Sequence, residues 1–247
     1  MKGFWPIYKR ELFAFFVTPL AWILILVFLF VQGMHFFLLV DTFARQNEVG
    51  ADQSPLQVFF GDTALLYMIL FLLVPAMTMR LFAEERRSGT METLLSAPVS
   101  SAAVVLGKYA AVLTTYVAMW VPTLLYIVIL RRTGEIDAGV ALSSYLGVAL
   151  VGAAYLAVGL FASALTKSQL VALVITALVL LGFFILGMSS FVAREGTTLH
   201  VVATHVSVWS AMNDFSAGLV DSRRLVFYGS LIVLPLYLAT RTVDSWR

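Results

Sequence analysis

The sequence predicts an all-α integral membrane protein with six transmembrane helices, and three observations carry that prediction. Hydrophobic residues make up 61% of the 247 residues and charged residues only 12%, with a mean hydropathy of +0.94. A water-soluble core of this size cannot hide so much apolar surface, whereas a bilayer can. Six apolar runs approach or exceed the ~20 residues needed to cross the hydrocarbon core. Between the second and third runs lies a charged, amphipathic interruption, RLFAEERRSGTMETLLSAPVSSAAVVLGK, over residues 80–108.

Residues 3–17 read as an amphipathic helix lying on the membrane. Trp5, Tyr8, Leu12, Phe15 and Phe16 share one face, Arg10 and Glu11 fall opposite, and Lys9 sits at the edge where its stem can snorkel. Thr18 precedes proline and is pushed out of the helical region, while Pro19 suits the first turn of the next helix. The spans are expected at 20–40, 62–81, 103–130, 141–165, 169–192 and 224–241. Pro75, Pro122 and Pro235 fall inside spans, where neighbouring helices tolerate the kinks they cause. Ala149, Ala153 and Ala157 form a small-residue stripe, and Gly159 with Ser163 a small-xxx-small pair, both suited to close helix packing. The first apolar run has no small-residue cleavage site at its end and is expected to stay in the mature protein.

Orientation follows from Lys and Arg. With the N-terminus cytoplasmic, ten of the sixteen lie on the inner side (Lys2, Lys9, Arg10, Arg80, Arg86, Arg87, Lys108, Lys167, Arg241, Arg247). Both termini are then cytoplasmic, and 41–60 and 193–222 become the outer loops, with His200–Val208 strand-like by composition. The net charge of +2 implies no nucleic-acid partner, because the basic residues flank apolar runs and form no separate patch. The absence of cysteine excludes disulfides, thiolate metal sites and cysteine nucleophiles.

Much chemistry is missing. No span carries a charged residue at its middle, which argues against an ion-coupled carrier and an intramembrane enzyme. A phosphate-binding loop is not formed around Gly107-Lys108, since Ala102 stands where its first glycine belongs and Tyr109 where Ser or Thr should follow; Lys108 reads as a snorkelling boundary lysine. His200 and His205 lack the HExxH glutamate, and Ser189-Ser190 are in no GxSxG elbow. His35 reads as a hydrogen bonder between packed helices. Glu84 and Glu85 precede Arg86 and Arg87, so ion pairing on a wet helix is a better reading than acid–base catalysis. The energy for any work is therefore expected to come from outside this chain.

Residues 82–96 can form a helix with Phe82, Met91, Leu94 and Leu95 apolar, weakened at Gly89 and stopped by Pro98. Charge pattern alone leaves two readings open: a solvated helix near anionic lipid, or a helix that docks on a soluble partner.

The run Pro75-Ala-Met-Thr-Met-Arg-Leu-Phe-Ala-Glu-Glu-Arg-Arg-Ser-Gly-Thr-Met-Glu-Thr-Leu-Leu95, followed by Ser96-Ala-Pro-Val-Ser100 and Gly107-Lys108, resembles ABC-2-type transporter permeases, and most of all their gliding-motility-associated (GldF-like) branch, with nitrous-oxide-reductase maturation permeases more distant. The similarity extends to Tyr8-Lys9-Arg10-Glu11-Leu12, to the end of the fourth span from Gly159 to Thr166, and to Phe215–Asp221. The resemblance implies a single permease domain over 1–247 with an N-terminal interfacial helix, six spans, a cytoplasmic coupling helix at 82–98 and, within the 193–222 outer loop, short helices over 197–221. It places Glu84, Glu85, Arg86, Arg87, Gly89, Thr90, Glu92, Leu94, Leu95 and Pro98 at the contact with an ABC ATPase subunit. It further implies two ATPase copies, a second identical or related permease, no cofactor in this chain, ATP and Mg on the partner, and a bacterial cytoplasmic membrane. The alternative is a non-transporting, ATP-driven anchor passing force or signal to a periplasmic or motility partner.

Overall fold

The structure is a computed structural model that describes residues 3–45, 54–61, 64–91, 99–132, 137–194 and 196–246. Among the described residues it is helical throughout, with no strand. Helix α1 (Phe4–Val17) ends where Thr18 turns extended, and the Thr18 hydroxyl donates to the carbonyls of Ala14 and Phe15. α2 (Pro19–Arg45) opens on proline. α3 (Pro55–Phe60) starts from a reciprocal cap between Ser54 and Gln57. α4 (Ala64–Thr78) retains Pro75 inside it, a four-residue turn follows, and α5 (Ala83–Ser88) is short.

α6 (Ser101–Trp120) is capped by Ser100 and gives way at Pro122 to one 3-10 turn, Val121–Thr123, before α7 (Leu124–Leu130). The missing proline N–H is absorbed there, and the Thr123 hydroxyl donates to the Trp120 carbonyl at 2.7 Å. α8 (Ala138–Leu165), α9 (Gln169–Met188), α10 (Thr198–Val206), α11 (Val208–Ser216) and α12 (Ser222–Asp244) are capped in turn by Asp137, Ser168, Thr197, Ser207 and Asp221. The strand-like reading of His200–Val208 is corrected: the Thr197 hydroxyl accepts from His200 N, and packing overrides the β-branched composition.

Among the described residues six stretches are long and apolar enough to cross a membrane: Pro19–Ala44, Tyr67–Ser88, Ser101–Leu130, Ala138–Leu165, Gln169–Phe191 and Ser222–Asp244. The expected fold class, an all-helical multi-pass membrane protein, is the one observed.

α8 is the most buried span and packs against α4, α6, α9, α11 and α12. Lipid is as apolar as a helix face, so burial alone does not drive helices together; close approach and satisfied hydrogen bonds do. A Cβ on Gly152 would overlap the Tyr116 ring, and one on Gly159 would overlap Thr78. The Tyr116 and Tyr109 hydroxyls donate to the Val148 and Ala153 carbonyls at 3.1 and 3.0 Å. α2 and α9 keep apolar faces exposed, among them Leu26, Phe30, Phe37, Leu170 and Leu178.

One sequence expectation changes at the N-terminal half. α1 lies along α6 with Ile7 and Phe15 buried, while Trp5 and Phe13 are exposed, so the bundle meets α1 at the Phe15 side of the expected apolar face and leaves Trp5 outward. The segment read as one helix over 82–98 breaks at Gly89, whose φ of 74° is left-handed and ends α5 after Ser88. Residues 92–98, with Glu92, Leu94, Leu95 and Pro98, lie outside the described residues.

Candidate functional site

Four charges from three elements form a closed ring at one end of the bundle. Arg10 Nη2 lies 2.8 Å from Glu11 Oε1 and 2.7 Å from Glu85 Oε1. Lys108 Nζ lies 3.0 Å from Glu11 Oε1 and 3.0 Å from Glu85 Oε2. Each cation thus bridges both carboxylates, joining α1 to α5 and both to α6. The Lys108 side chain is only 1% exposed and sits 5.3 Å over the Phe82 ring. This corrects the reading of Lys108 as a snorkelling boundary lysine and of Arg10 and Glu11 as a purely solvent face. It also corrects the local pairing of Glu84-Glu85 with Arg86-Arg87. Burial alone would raise the Glu11 carboxyl, but Lys108 and Arg10 outweigh it and hold the group below the ordinary carboxylate value.

The turn between α4 and α5 is tied to the central helix. The Ser163 hydroxyl accepts from the amides of Phe82 and Ala83 at 3.1 and 3.2 Å and donates to the Met79 carbonyl at 3.0 Å. One side chain on α8 thereby satisfies the start of α5, which has no cap of its own. Arg86 donates to the Ala164 carbonyl at 2.8 Å and lies 4.4 Å over the Trp246 ring, and Gln169 donates to Glu84.

Of the expected contact residues, Glu85 and Arg86 turn into the bundle, while Glu84, Arg87, Gly89 and Thr90 are exposed. Beside them is a cavity of about 420 Å³ lined by Arg10, Glu11, Thr18, Arg80, Glu84 and Lys108, among others. Arg80 donates to the Thr18 hydroxyl at 2.8 Å and stacks 4.9 Å over Phe15, reaching the α1–α2 hinge. The exposed α5 edge is thus tied to α1 through ion pairs and to α8 through Ser163.

Sequence reasoning missed the roles of Arg10, Glu11, Ser163 and Trp246. A signal existed for Glu11, a lone carboxylate in register with Ile7 and Phe15. Sequence reasoning also passed over Gln32, fully buried in α2 with both amide atoms unpaired among the described residues. His35, expected to hydrogen-bond between packed helices, has no partner at Nδ1 among the described residues, and its ring stacks on Phe59 at 4.7 Å.

Residues 40–232 match a family described as ABC-2 family transporter protein. No curated protein matches the chain.

Proposed function

We propose, on the premise that this chain belongs to the ABC-2 family of transporter proteins and is a membrane-spanning permease subunit of an ABC transporter, that a separate ATP-hydrolysing subunit docks on its charged end. The observation that carries this reading is the Arg10–Glu11–Lys108–Glu85 ring, which locks short α5 to α1 and α6. ATP and Mg bind the partner, and its closure pushes the exposed edge of α5 at Glu84, Arg87, Ser88 and Thr90. The ring passes that displacement to α1 and the Thr18–Pro19 hinge, and the Ser163 tie passes it to α8. Substrate export by a pair of such permeases, each with its ATPase, follows from that movement. Clustering of Arg80, Arg86, Arg87 and Lys108 at this end supports placing it, and both termini, on the cytoplasmic side of a bacterial inner membrane. The 75–100 run supports the gliding-motility-associated branch as the nearest one.

The test is capture of tagged chain from its own host with assay of co-purifying ATP hydrolysis. The native chain is expected to bring ATPase activity with it. Arg87→Glu, exposed and free of any role in the ring, is expected to lose that activity while membrane insertion stays intact. The purified chain stripped of partners is expected to turn over no ATP. Full retention of partner and activity by Arg87→Glu would remove α5 as the docking edge.

A further inference from the structure

At the end of the bundle away from the ring, a cavity of about 270 Å³ lies between α4, the end of α9 and the α10–α11 junction. Tyr67, Phe184, Phe191 and Trp209 wall it, with Met188 and Val208 between them. Tyr67 and Trp209 approach with ring centroids 5.6 Å apart, Phe191 meets Trp209 edge-on at 6.3 Å, and Phe71 braces Phe184 at 5.3 Å. The nearby polar groups are already committed. The Tyr67 hydroxyl donates to the Gly61 carbonyl and the Ser207 hydroxyl accepts from Ser210 N to cap α11. What remains of the wall is almost wholly apolar.

The mouth shows where an occupant comes from. Met188 and Phe191 are 51% and 67% exposed and continue into exposed Leu181 and Ile185 on the outer face of α9. Across the mouth α10 presents exposed Leu199, Val201 and Val202. The opening thus faces hydrocarbon. At its back, α9 and the α10–α11 junction touch: a Cβ on Gly187 would lie 2.9 Å from Ser207 Cα. Tyr and Trp rings favour the headgroup boundary, so Tyr67 and Trp209 set the site just inside it.

We propose that this cavity is a binding site for one acyl chain of a membrane phospholipid. Transfer of a chain from bilayer to cavity gains no hydrophobic energy, since both are apolar. It gains dispersion contact with four ring faces that otherwise lack atoms on the cavity side. The site is small beside the ~300–1,000 Å³ of ordinary ligand pockets, which suits part of one chain and excludes a whole lipid. It requires only that the protein spans a bilayer, so it stands or falls independently of ATPase docking.

The experiment uses the chain alone in phosphatidylcholine nanodiscs, with Trp5, Trp22, Trp120 and Trp246 replaced by Phe so that Trp209 reports. Phosphatidylcholine brominated on its acyl chains is titrated against the unbrominated lipid. Trp209 quenching is expected to saturate at low brominated fraction and to be largely lost in Val208→Phe, which fills the cavity. Leu178→Phe, on the exposed face of α9, is expected to leave it unchanged. Quenching that rises in proportion to brominated fraction, equally in Val208→Phe, overturns the site. If the single-tryptophan chain does not fold, native mass spectrometry of the unaltered chain decides: a lipid retained and lost in Val208→Phe supports the site, and none retained, or one indifferent to Val208→Phe, overturns it.

Discussion

At one end of the bundle Lys108 binds Glu11, 97 residues away in sequence, and Arg10 binds Glu85, 75 residues away. At the other end Arg224 is also a buried cation, 7% exposed, yet every hydrogen-bond partner it has among the described residues lies within 20 residues. It donates to Asp214 at 3.0–3.1 Å, to the Ser210 hydroxyl at 2.7 Å, and to the carbonyls of Thr204 and His205 at 2.8 and 3.1 Å. The two cations do different work. Arg224 staples α10 and α11 to the start of α12 and fixes a local shape. Lys108 ties α1 and α5, remote from each other in sequence, to α6. A charged group that joins distant elements is a mechanical link, whereas one that binds its own neighbourhood is a clasp.

The largest break in this comparison is expected from Lys108→Met, which strands Glu11 and Glu85 with only half-exposed Arg10 between them. Removing one partner of a buried pair costs about 3–5 kcal/mol, and thermal unfolding in nanodiscs should show the loss. The combined variant Glu11→Gln, Glu85→Gln and Lys108→Met should lose much less, because the one charge left, on Arg10, is half exposed to solvent. Arg224→Met should cost roughly 1.5–3 kcal/mol through lost charge-assisted bonds. Its signature is faster amide exchange confined to 198–216, with 79–91 unchanged; spread to the charged end would erase the distinction between link and clasp.

Ser163→Ala leaves the Phe82 and Ala83 amides without their acceptor, at about 1–2 kcal/mol, and should raise exchange in the α4–α5 turn alone. Gly89→Ala should cost about 1 kcal/mol, because a Cβ is disfavoured at a φ of 74° although nothing crowds it. The smallest effect is acid sensitivity. Glu11 titrates below its ordinary value of 4.5 in the folded chain, so its contribution is complete above pH 4.5 and fades as pH falls through the folded value. Exchange along α1 should rise only in that acid range, and Glu11→Gln should flatten the dependence.

The same contrast explains what the sequence made legible. Spans follow from composition and length, which are local properties of the chain. The ring is not local: nothing near Lys108 distinguishes a snorkelling lysine from one that meets Glu11 and Glu85. Gly89 was readable as a weak point, but its left-handed turn is a backbone outcome, and it divides what periodicity joined into one helix. On α1 the amphipathic pattern assigned Glu11 to water, because a buried carboxylate is tolerated only when cations from other elements reach it.

The central claim is that the ring carries displacement from α5 to α1, and inter-helix distance measures it directly. The absence of native cysteine allows spin labels at exposed Phe13 on α1 and Leu178 on α9. With the ATPase subunit bound, addition of a non-hydrolysable ATP analogue is expected to shift the Phe13–Leu178 distance in the native chain. In the Glu11→Gln, Glu85→Gln, Lys108→Met chain, which has no ion pair left between α1, α5 and α6, the ATPase should still bind and the shift should vanish. An equal shift in both chains would show that displacement reaches α1 by another route and would contradict the account.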